Sequence, residues 1–295
     1  MSSRWFRLVL AVCLCATAGL PAVAQAQDAA SLRARHAALA ERLANNPFQR
    51  PLHIESTERS SDLRGDAYAL IDQPFAAVGP ALQGMGAWCE ILILHLNVKR
   101  CQASTPPVGD TISLEVGRKS DQTTDEAHRF DFLYQRVAAQ PGYLQVTLNA
   151  EDGPLGTSHY RIVLEVVALD ARRSFMHLSY AYAYGMTARM AMQAYLATTG
   201  RDKLGFSVIG TQADGRPAFI GGTRGVVERN TMRYTLAVEA YLATLSVPAP
   251  QQLDKRLNAW FSAVERYPLQ LHELERGEYL DMKRREIARQ GAASG

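Results

Sequence analysis

The sequence predicts an α+β protein in which a curved antiparallel sheet wraps around a long helix near the C-terminus. Between residues 110 and 184, successive segments alternate apolar and polar residues with a period of two, and short polar turns separate them. Strands joined in this way form an antiparallel meander rather than βαβ units. Further on, the segment "RGVVERNTMRYTLAVEAYLATLS" has helical periodicity and is apolar over so wide an arc that it is expected to be mostly buried.

The first 26 residues have the pattern of a secretory signal peptide. Arg4 and Arg7 precede an apolar run, Leu8 to Leu20, and Ala24-Gln25-Ala26 supplies a small-x-small cleavage site. A retained membrane anchor is the alternative, but the unbroken run is short for a membrane span. We therefore expect a periplasmic or secreted protein from which residues 1–26 are removed.

Length and charge limit the domain size and the partners expected for the remaining chain. About 269 residues (295 minus 26) are enough for one large domain with an appendage. Loss of Arg4 and Arg7 lowers the formal net charge from +3 to +1, and the other charges are mixed along the sequence. Nucleic acid is therefore not a favoured partner.

Two cysteines remain after cleavage, Cys89 and Cys101. Disulfides persist outside the cytoplasm, so a Cys89–Cys101 bridge is the first hypothesis. It would close a loop of about a dozen residues and stabilise the fold by on the order of 3 kcal/mol. A free nucleophilic thiol is the alternative.

Residues 27–52 form an N-terminal helical segment, and residues 53–247 form the main domain. The first contains a short amphipathic helix, Ser31 to Asn45. The second begins with two short strands or one irregular strand between His53 and Ile71, and two short helices follow Pro74. Residues 248–295 are a charged helical extension, which we expect to pack onto the domain through Leu257, Trp260, Phe261 and Val264.

The stretch "SFMHLSYAYAYGMTARMAMQAYLATTG" joins the last strand of the meander to an inserted helix. On the strand, one face carries Met176, Leu178, Tyr180, Tyr182 and Tyr184. The helix, Met186 to Thr198, is followed by a hairpin that turns near Asp214-Gly215. Strand and helix can form adjacent walls of one apolar space, so a pocket would be bordered by residues 180–190. The alternative is that both fill a dry core.

Chemical motifs are sparse. The seven histidines show no metal-ligand spacing, and no metal or cofactor is expected. His159, Arg161 and Glu165 share a strand face that is more typical of a solvated surface than of a site. Near the start of the long helix, Glu228 and Arg233 have two interpretations: helix-end electrostatics, or a polar anchor that meets the head group of a ligand in a cavity.

From about His53 to Leu245, the order of elements resembles that of the START/Bet v 1-like (SRPBCC) helix-grip superfamily. With its signal-peptide pattern, the chain resembles an exported bacterial member of that superfamily. "DAYALIDQPFAAVGPALQGMGAWCEI" resembles the opening strand and paired helices of that family, and "RGVVERNTMRYTLAVEAYLATL" resembles its C-terminal helix. The inserted helix and hairpin and the C-terminal extension depart from the family pattern. The resemblance implies a helix-grip fold with a hydrophobic pocket between the sheet and the terminal helix.

Residue by residue, the resemblance places sheet aromatics around the pocket and α-helical side chains opposite them. The predicted ligand-binding residues are Phe130, Phe132, Tyr180, Tyr182, Tyr184, Met186, Met190, Arg233, Tyr234, Val238 and Tyr241. A slip of one residue in register would exchange the faces of each strand. The methionine thioethers suit a pocket that adapts to a flexible guest.

Three functions remain open. The leading hypothesis is non-covalent binding or transfer of a hydrophobic small molecule or lipid, with transient contact to a membrane or an envelope transporter. The second is a cyclase, aromatase or hydrolase of the same fold, although no convincing acid–base pair is visible. The third is an envelope interaction module whose interior is filled by its own side chains. The ligand, the reaction and the oligomeric state do not follow from the sequence.

Overall fold

The computed structural model describes residues 20–292 apart from residues 108 and 199. Most of the predicted signal peptide, residues 1–19, lies outside the described residues. Within the part that is described, no helix has the length and apolar character needed to cross a membrane.

The strands form one large sheet and one small hairpin. They are β1 (Leu52–Arg59), β2 (Asp62–Ile71), β3 (Val98–Ser104), β4 (Thr111–Val116), β5 (His128–Gln140), β6 (Tyr143–Asp152), β7 (Thr157–Ala168), β8 (Ser174–Tyr184), β9 (Val208–Thr211) and β10 (Pro217–Phe219). The large sheet is antiparallel and has the order β1-β2-β8-β7-β6-β5-β4-β3. Because β8 pairs with β2, the last strand of the meander lies beside a strand from the start of the domain.

Helices occupy both faces of this sheet and its ends. They are α1 (Leu20–Ala38), α2 (Ala40–Ala44), α3 (Phe75–Ala81), α4 (Met85–Leu92), α5 (Met186–Ala197), α6 (Gly222–Leu242), α7 (Ala249–Val264), α8 (Pro268–Leu271) and α9 (Arg276–Ala292). Helix α6 lies on the inner face of the sheet against β1, β2 and β8. A strand, two short helices, an antiparallel meander and a gripped helix follow one another as predicted, so the α+β helix-grip fold is confirmed.

The sheet holds α6 most closely at Gly65 of β2. A Cβ atom at this position would lie 2.3 Å from the Oγ1 atom of Thr231, which is far inside van der Waals contact. Thr231 itself is fully buried and donates a hydrogen bond from its hydroxyl to the carbonyl of Val227. The missing side chain at residue 65 is therefore what lets the helix backbone approach the strand.

The structure refines two element predictions and adds one strand. The segment after residue 52 is two strands, β1 and β2, which pair as a hairpin. The helix predicted over residues 31–45 is divided into α1 and α2 at Leu39. Strand β3 was not predicted, because the period-two pattern is recognisable only after Pro107, whereas "VKRCQAS" carries charges on both sides of an edge strand.

Cys89 of α4 and Cys101 of β3 form a disulfide, with their Cα atoms 5.3 Å apart. The bridge attaches the short helix to the strand at the sheet edge. The sequence prediction of this pairing is confirmed, and neither sulfur is a free thiol.

The C-terminal helices pack against the same core as the sheet and α6. Leu257, Trp260, Phe261 and Val264 of α7 are all buried in it, as predicted. The outer face of the sheet has a smaller apolar cluster beneath α1, in which Leu32 is buried together with residues of β2, β7 and β8. The gripped helix is thus enclosed by the sheet on one side and by the extension on the other.

Candidate functional site

A cavity of about 420 Å³ lies between the sheet and the N-terminal half of α6, and helix α5 covers it. On α6 its wall includes Thr223, Val226 and Asn230, which lie on successive turns. Seven residues of helix correspond to about 10 Å along the axis. Exposed lining residues, among them Glu58 and Arg189, mark its mouth beside Thr223, so Asn230 lies at its inner end.

Tyrosines from two strands make the sheet side of the cavity. Tyr180, Tyr182 and Tyr184 project from alternate positions of β8, and Tyr160 projects from β7. The rings of Tyr160 and Tyr182 stack with their centroids 5.2 Å apart, and Tyr180 lies 5.6 Å from Tyr182. Alternation along β8 therefore brings three phenol groups to one wall, and neighbouring rings hold them in place.

The phenol groups act as hydrogen-bond donors at neutral pH. Burial raises the pKa of the Tyr180 and Tyr182 hydroxyls above the usual value for a phenol. Within the described residues, neither hydroxyl has a hydrogen-bond partner, whereas that of Tyr160 donates to Thr157 at 2.9 Å. The cavity wall thus combines apolar rings with two protonated hydroxyls that are available to a guest.

Helix α5 supplies the opposite wall through one of its faces. Ala188, Ala191, Met192 and Tyr195 have helical spacing and line the cavity. The small alanines leave room for a guest, while Met192 and Tyr195 close the sides. The insertion that departs from the family pattern therefore forms part of the pocket.

Two charged side chains line the cavity in the described part of the chain, and both lie at the mouth. The Glu58 carboxylate accepts hydrogen bonds from Tyr184 at 2.6 Å and from Thr223 at 2.7 Å. The Arg189 guanidinium lies 5.5 Å from the centre of the Tyr184 ring and donates to the Ser60 carbonyl. These contacts link β1, β8, α5 and α6 around the opening.

The structure places part of the predicted set in or beside the cavity. Tyr180, Tyr182 and Tyr184 line it. Phe130 is buried behind the wall, with its ring centre 5.1 Å from that of Tyr160, and Phe132 stacks on Phe130. Tyr234 packs behind Tyr180, with a centroid distance of 5.5 Å. The register assumed from the alternation of residues is the one observed.

Other predicted residues lie away from the cavity. Met186 and Met190 belong to the outer face of α5 and are 72% and 64% exposed, because the wall is formed by residues about half a helical turn away. Val238 and Tyr241 belong to the C-terminal half of α6. There Tyr241 donates to the carbonyl of Ala81 in α3, so short helices fill that half of the sheet.

Arg233 is likewise outside the cavity wall. Its guanidinium is buried and forms an ion pair with Glu273 at 2.9 Å, in the loop between α8 and α9. The physical reason is that a buried charge requires a partner, and the C-terminal extension provides one. Sequence spacing within α6 gives no signal for a partner forty residues away.

Sequence reasoning missed several lining residues. They include Glu58, Leu63, Leu155, Ala191, Met192, Tyr195, Val226 and Asn230, whereas Ala188 and Arg189 fall within the range 180–190 that was expected to border a pocket. The helical stripe of α5 was visible in the sequence and could have indicated the alanines, Met192 and Tyr195. Glu58 and Leu63 reach the cavity through the β1–β2 hairpin, whose register could not be predicted because the segment lacks a clear alternation of apolar and polar residues.

A polar triad lies on the outer face of the sheet. The two ring nitrogens of His177 lie 2.8 Å from carboxylate oxygens of Asp66 and Glu165. Tyr143 donates to the second oxygen of Glu165 at 2.7 Å, and the Tyr68 ring stacks on His177. Ionised carboxylates only accept hydrogen bonds, so both ring nitrogens donate and the imidazole is protonated. The predicted solvated face is therefore partly an ordered, buried network.

The triad predicts a pH dependence of stability. Burial alone lowers the pKa of His177, but hydrogen bonds and charge from Asp66 and Glu165 outweigh it, so the pKa is raised. A raised folded-state pKa contributes stability that is complete below about pH 6.5 and is lost as the pH rises through the folded value. The difference in unfolding free energy between wild type and His177→Asn should shrink from pH 6 to pH 9 in urea titrations. His128→Asn, at an exposed position, is the control, and an unchanging difference for His177→Asn would contradict the protonated triad.

Comparisons with known proteins give only distant similarities. No family model and no curated protein matches the sequence. A START superfamily protein from Mycobacterium smegmatis is 10% identical with a TM-score of 0.30, and the match covers 50% of this chain and 92% of that one. Norcoclaurine synthase from Thalictrum flavum, in complex with dopamine and hydroxybenzaldehyde, is 14% identical with a TM-score of 0.33 over 49% and 86% of the two chains. A conserved protein of unknown function from Enterococcus faecalis is 8% identical with a TM-score of 0.31 over 81% and 91%.

The order of the strands and helices defines the fold class. Its strand order, the paired helices between β2 and β3, and the gripped helix α6 are those of a START/Bet v 1-like helix-grip fold. The resemblance proposed from the sequence is confirmed at the level of this fold.

Proposed function

We propose that this chain is an exported binding or transfer protein for a hydrophobic small molecule or lipid, held non-covalently between the sheet, α5 and α6. The observation that carries the proposal is the cavity of about 420 Å³, whose wall is made mainly of tyrosine rings and aliphatic side chains. Ligand pockets in proteins have volumes of about 300–1,000 Å³ and combine apolar walls with a few polar groups.

Burial of apolar surface supplies enough free energy for this function. Enclosing a few hundred Å² of apolar ligand surface yields several kcal/mol, at about 25 cal/mol per Å², before the cost of ordering. The free hydroxyls of Tyr180 and Tyr182 can orient a polar group of the ligand. A packing module filled by its own side chains is disfavoured by the volume that remains open.

The proposal is tested with the purified protein. An organic extract should contain a co-purified hydrophobic compound by mass spectrometry, and the stripped protein should bind members of a lipid panel. Ala191→Trp places a bulky ring in the cavity and should abolish binding, whereas Ala194→Trp, at an exposed position of α5, should not. Both variants should retain the wild-type melting temperature within a few degrees. An empty protein that binds no member of the panel would overturn the proposal.

An enzyme of the same fold is the second candidate, and one contact favours it. The Glu58 carboxylate and the Tyr184 hydroxyl, 2.6 Å apart, could transfer a proton at the cavity mouth. Turnover of a bound compound that is abolished in Glu58→Gln, with binding retained, would establish this alternative. Unchanged ligand after prolonged incubation would favour simple binding.

Export is part of the proposal. It is supported by the signal-peptide pattern of residues 1–26 and by the Cys89–Cys101 disulfide, since such bonds persist in oxidising compartments. Cell fractionation with N-terminal sequencing should find the protein outside the cytoplasm and beginning at Gln27. A cytoplasmic protein that retains residues 1–26 would contradict it.

A further inference from the structure

Four basic side chains converge near the inner end of the cavity, and we refer to them as the basic cluster: Lys119, Lys203, Arg229 and Arg233. One carboxylate, that of Glu273, lies among them. It pairs with Lys119, with Arg233 at 2.9 Å and with Lys203 at 3.6 Å. Three of the four positive charges therefore share one carboxylate, and Arg229 has no carboxylate bonded to it within the described residues.

The positive charge of the basic cluster is incompletely neutralised at its most buried members. Arg229 and Arg233 are only 2% and 1% exposed, and Arg233 Nε has no hydrogen-bond partner within the described residues. Burial, with the positive charge of Arg233 next in importance, lowers the pKa of Lys119 to about 8. Burying unpaired charge is costly, so this region would gain from a bound anion.

A second buried carboxylate, that of Glu228, does not neutralise the cluster through a direct bond. Glu228 precedes Arg229 on α6 and is fully buried. Its oxygens accept hydrogen bonds from the Ser56 hydroxyl, the Phe206 amide, and the amide and hydroxyl of Ser207. The oxygens of the Glu228 carboxylate are therefore bonded to these donors and not to the arginines of the basic cluster.

Tyr195 connects the basic cluster to the cavity. Its hydroxyl lies 3.4 Å from an Arg229 guanidinium nitrogen, and its side chain lines the cavity with Asn230. A guanidinium only donates, so the tyrosine oxygen accepts and its own proton is free to be donated to a guest. The ring is held by Gly200, where a Cβ atom would lie 2.3 Å from a ring carbon.

We propose that the inner end of the cavity receives the acidic group, carboxylate or phosphate, of an amphiphilic ligand. The Tyr195 hydroxyl and the Asn230 amide donate hydrogen bonds to the anion, and the basic cluster behind them balances its charge. The apolar part of the ligand then extends along the tyrosine wall toward the mouth. This inference rests on the proposed function and narrows it to acidic amphiphiles.

Two matched ligands test the inference by titration calorimetry on the stripped full chain. Decanoic acid should bind at least tenfold more tightly than decanol. Tyr195→Phe should remove most of this preference, because the acid loses far more affinity than the alcohol, and Arg229→Gln should do the same. Arg216→Gln, which removes an exposed arginine of the β9–β10 hairpin outside the cavity wall, should retain the preference and serves as the control. Because Arg229 is buried, Tyr195→Phe keeps the test decisive if Arg229→Gln fails to fold.

The outcomes separate the inference from the function on which it rests. Equal binding of acid and alcohol would overturn the inference and leave the apolar binding function standing. Binding of neither would overturn both. Competition by inorganic phosphate tests whether a free anion can occupy the same site as the head group of the ligand. Phosphate that competes with decanoic acid in wild type but not in Tyr195→Phe supports the anion site. Equal competition in both proteins contradicts it.

Discussion

Glu286→Ala is expected to lower the free energy of unfolding by about 3–5 kcal/mol, the usual cost of removing one member of a buried ionic group. The Glu286 carboxylate on α9 lies between two lysine ammonium groups, 2.9 Å from Lys99 of β3 and 2.8 Å from Lys283. All three side chains are at most 1% exposed. Burial lowers the pKa of Lys283 to about 8, so desolvation disfavours this ammonium group even while the carboxylate is present.

Urea titration with matched variants measures this effect. Asp281→Asn removes an exposed partner of Arg284 on the same helix and should cost less than about 1 kcal/mol. Replacing the whole group by apolar residues, Lys99→Met with Lys283→Met and Glu286→Leu, should be much less harmful than Glu286→Ala alone. A loss below about 1 kcal/mol for Glu286→Ala would show that α9 does not depend on this group.

Trp260→Ala is expected to cost a similar amount, about 3–5 kcal/mol. The indole is fully buried on α7, stacks on Tyr279 of α9 with centroids 5.0 Å apart, and donates to the Arg233 carbonyl on α6 at 3.1 Å. Truncation leaves a large void where three helices meet. It also removes a hydrogen bond to α6 near the basic cluster.

Chemical unfolding followed by circular dichroism checks this prediction, with Leu253→Ala as the control on the same helix because Leu253 is 37% exposed. The control should lose far less stability. If Trp260→Ala lost no more than Leu253→Ala, the extension would not be part of the cooperative core.

The sequence was sufficient for strands β4 to β8 and for the gripped helix because both depend on local periodicity. Alternation along β7 and β8 assigned Tyr180, Tyr182 and Tyr184 to one face, and the cavity is on that face. The wide apolar arc of α6 likewise required burial on all sides. The disulfide followed from the two cysteines that remain after residue 26.

Features that depend on long-range partners were not predictable in this way. Met186 and Met190 differ from Ala188 and Met192 only by helical phase, which a single sequence fixes poorly when all four are apolar. Arg233 meets Glu273, and His177 meets Asp66, across separations that leave no pattern in the sequence. Such pairs arise from the topology of the sheet and from how the extension folds back.

The close approach of α6 to the sheet at Gly65 has a consequence for ligand selection. Thr231, which occupies the space next to Gly65, directly follows Asn230, so the helix and the sheet are in close contact beside the inner end of the cavity. A linear guest with its head group at Asn230 has about 10 Å of helix to follow before it reaches Thr223. Longer chains would have to fold back or protrude between Glu58 and Arg189, so this protein is expected to discriminate among homologous ligands by length.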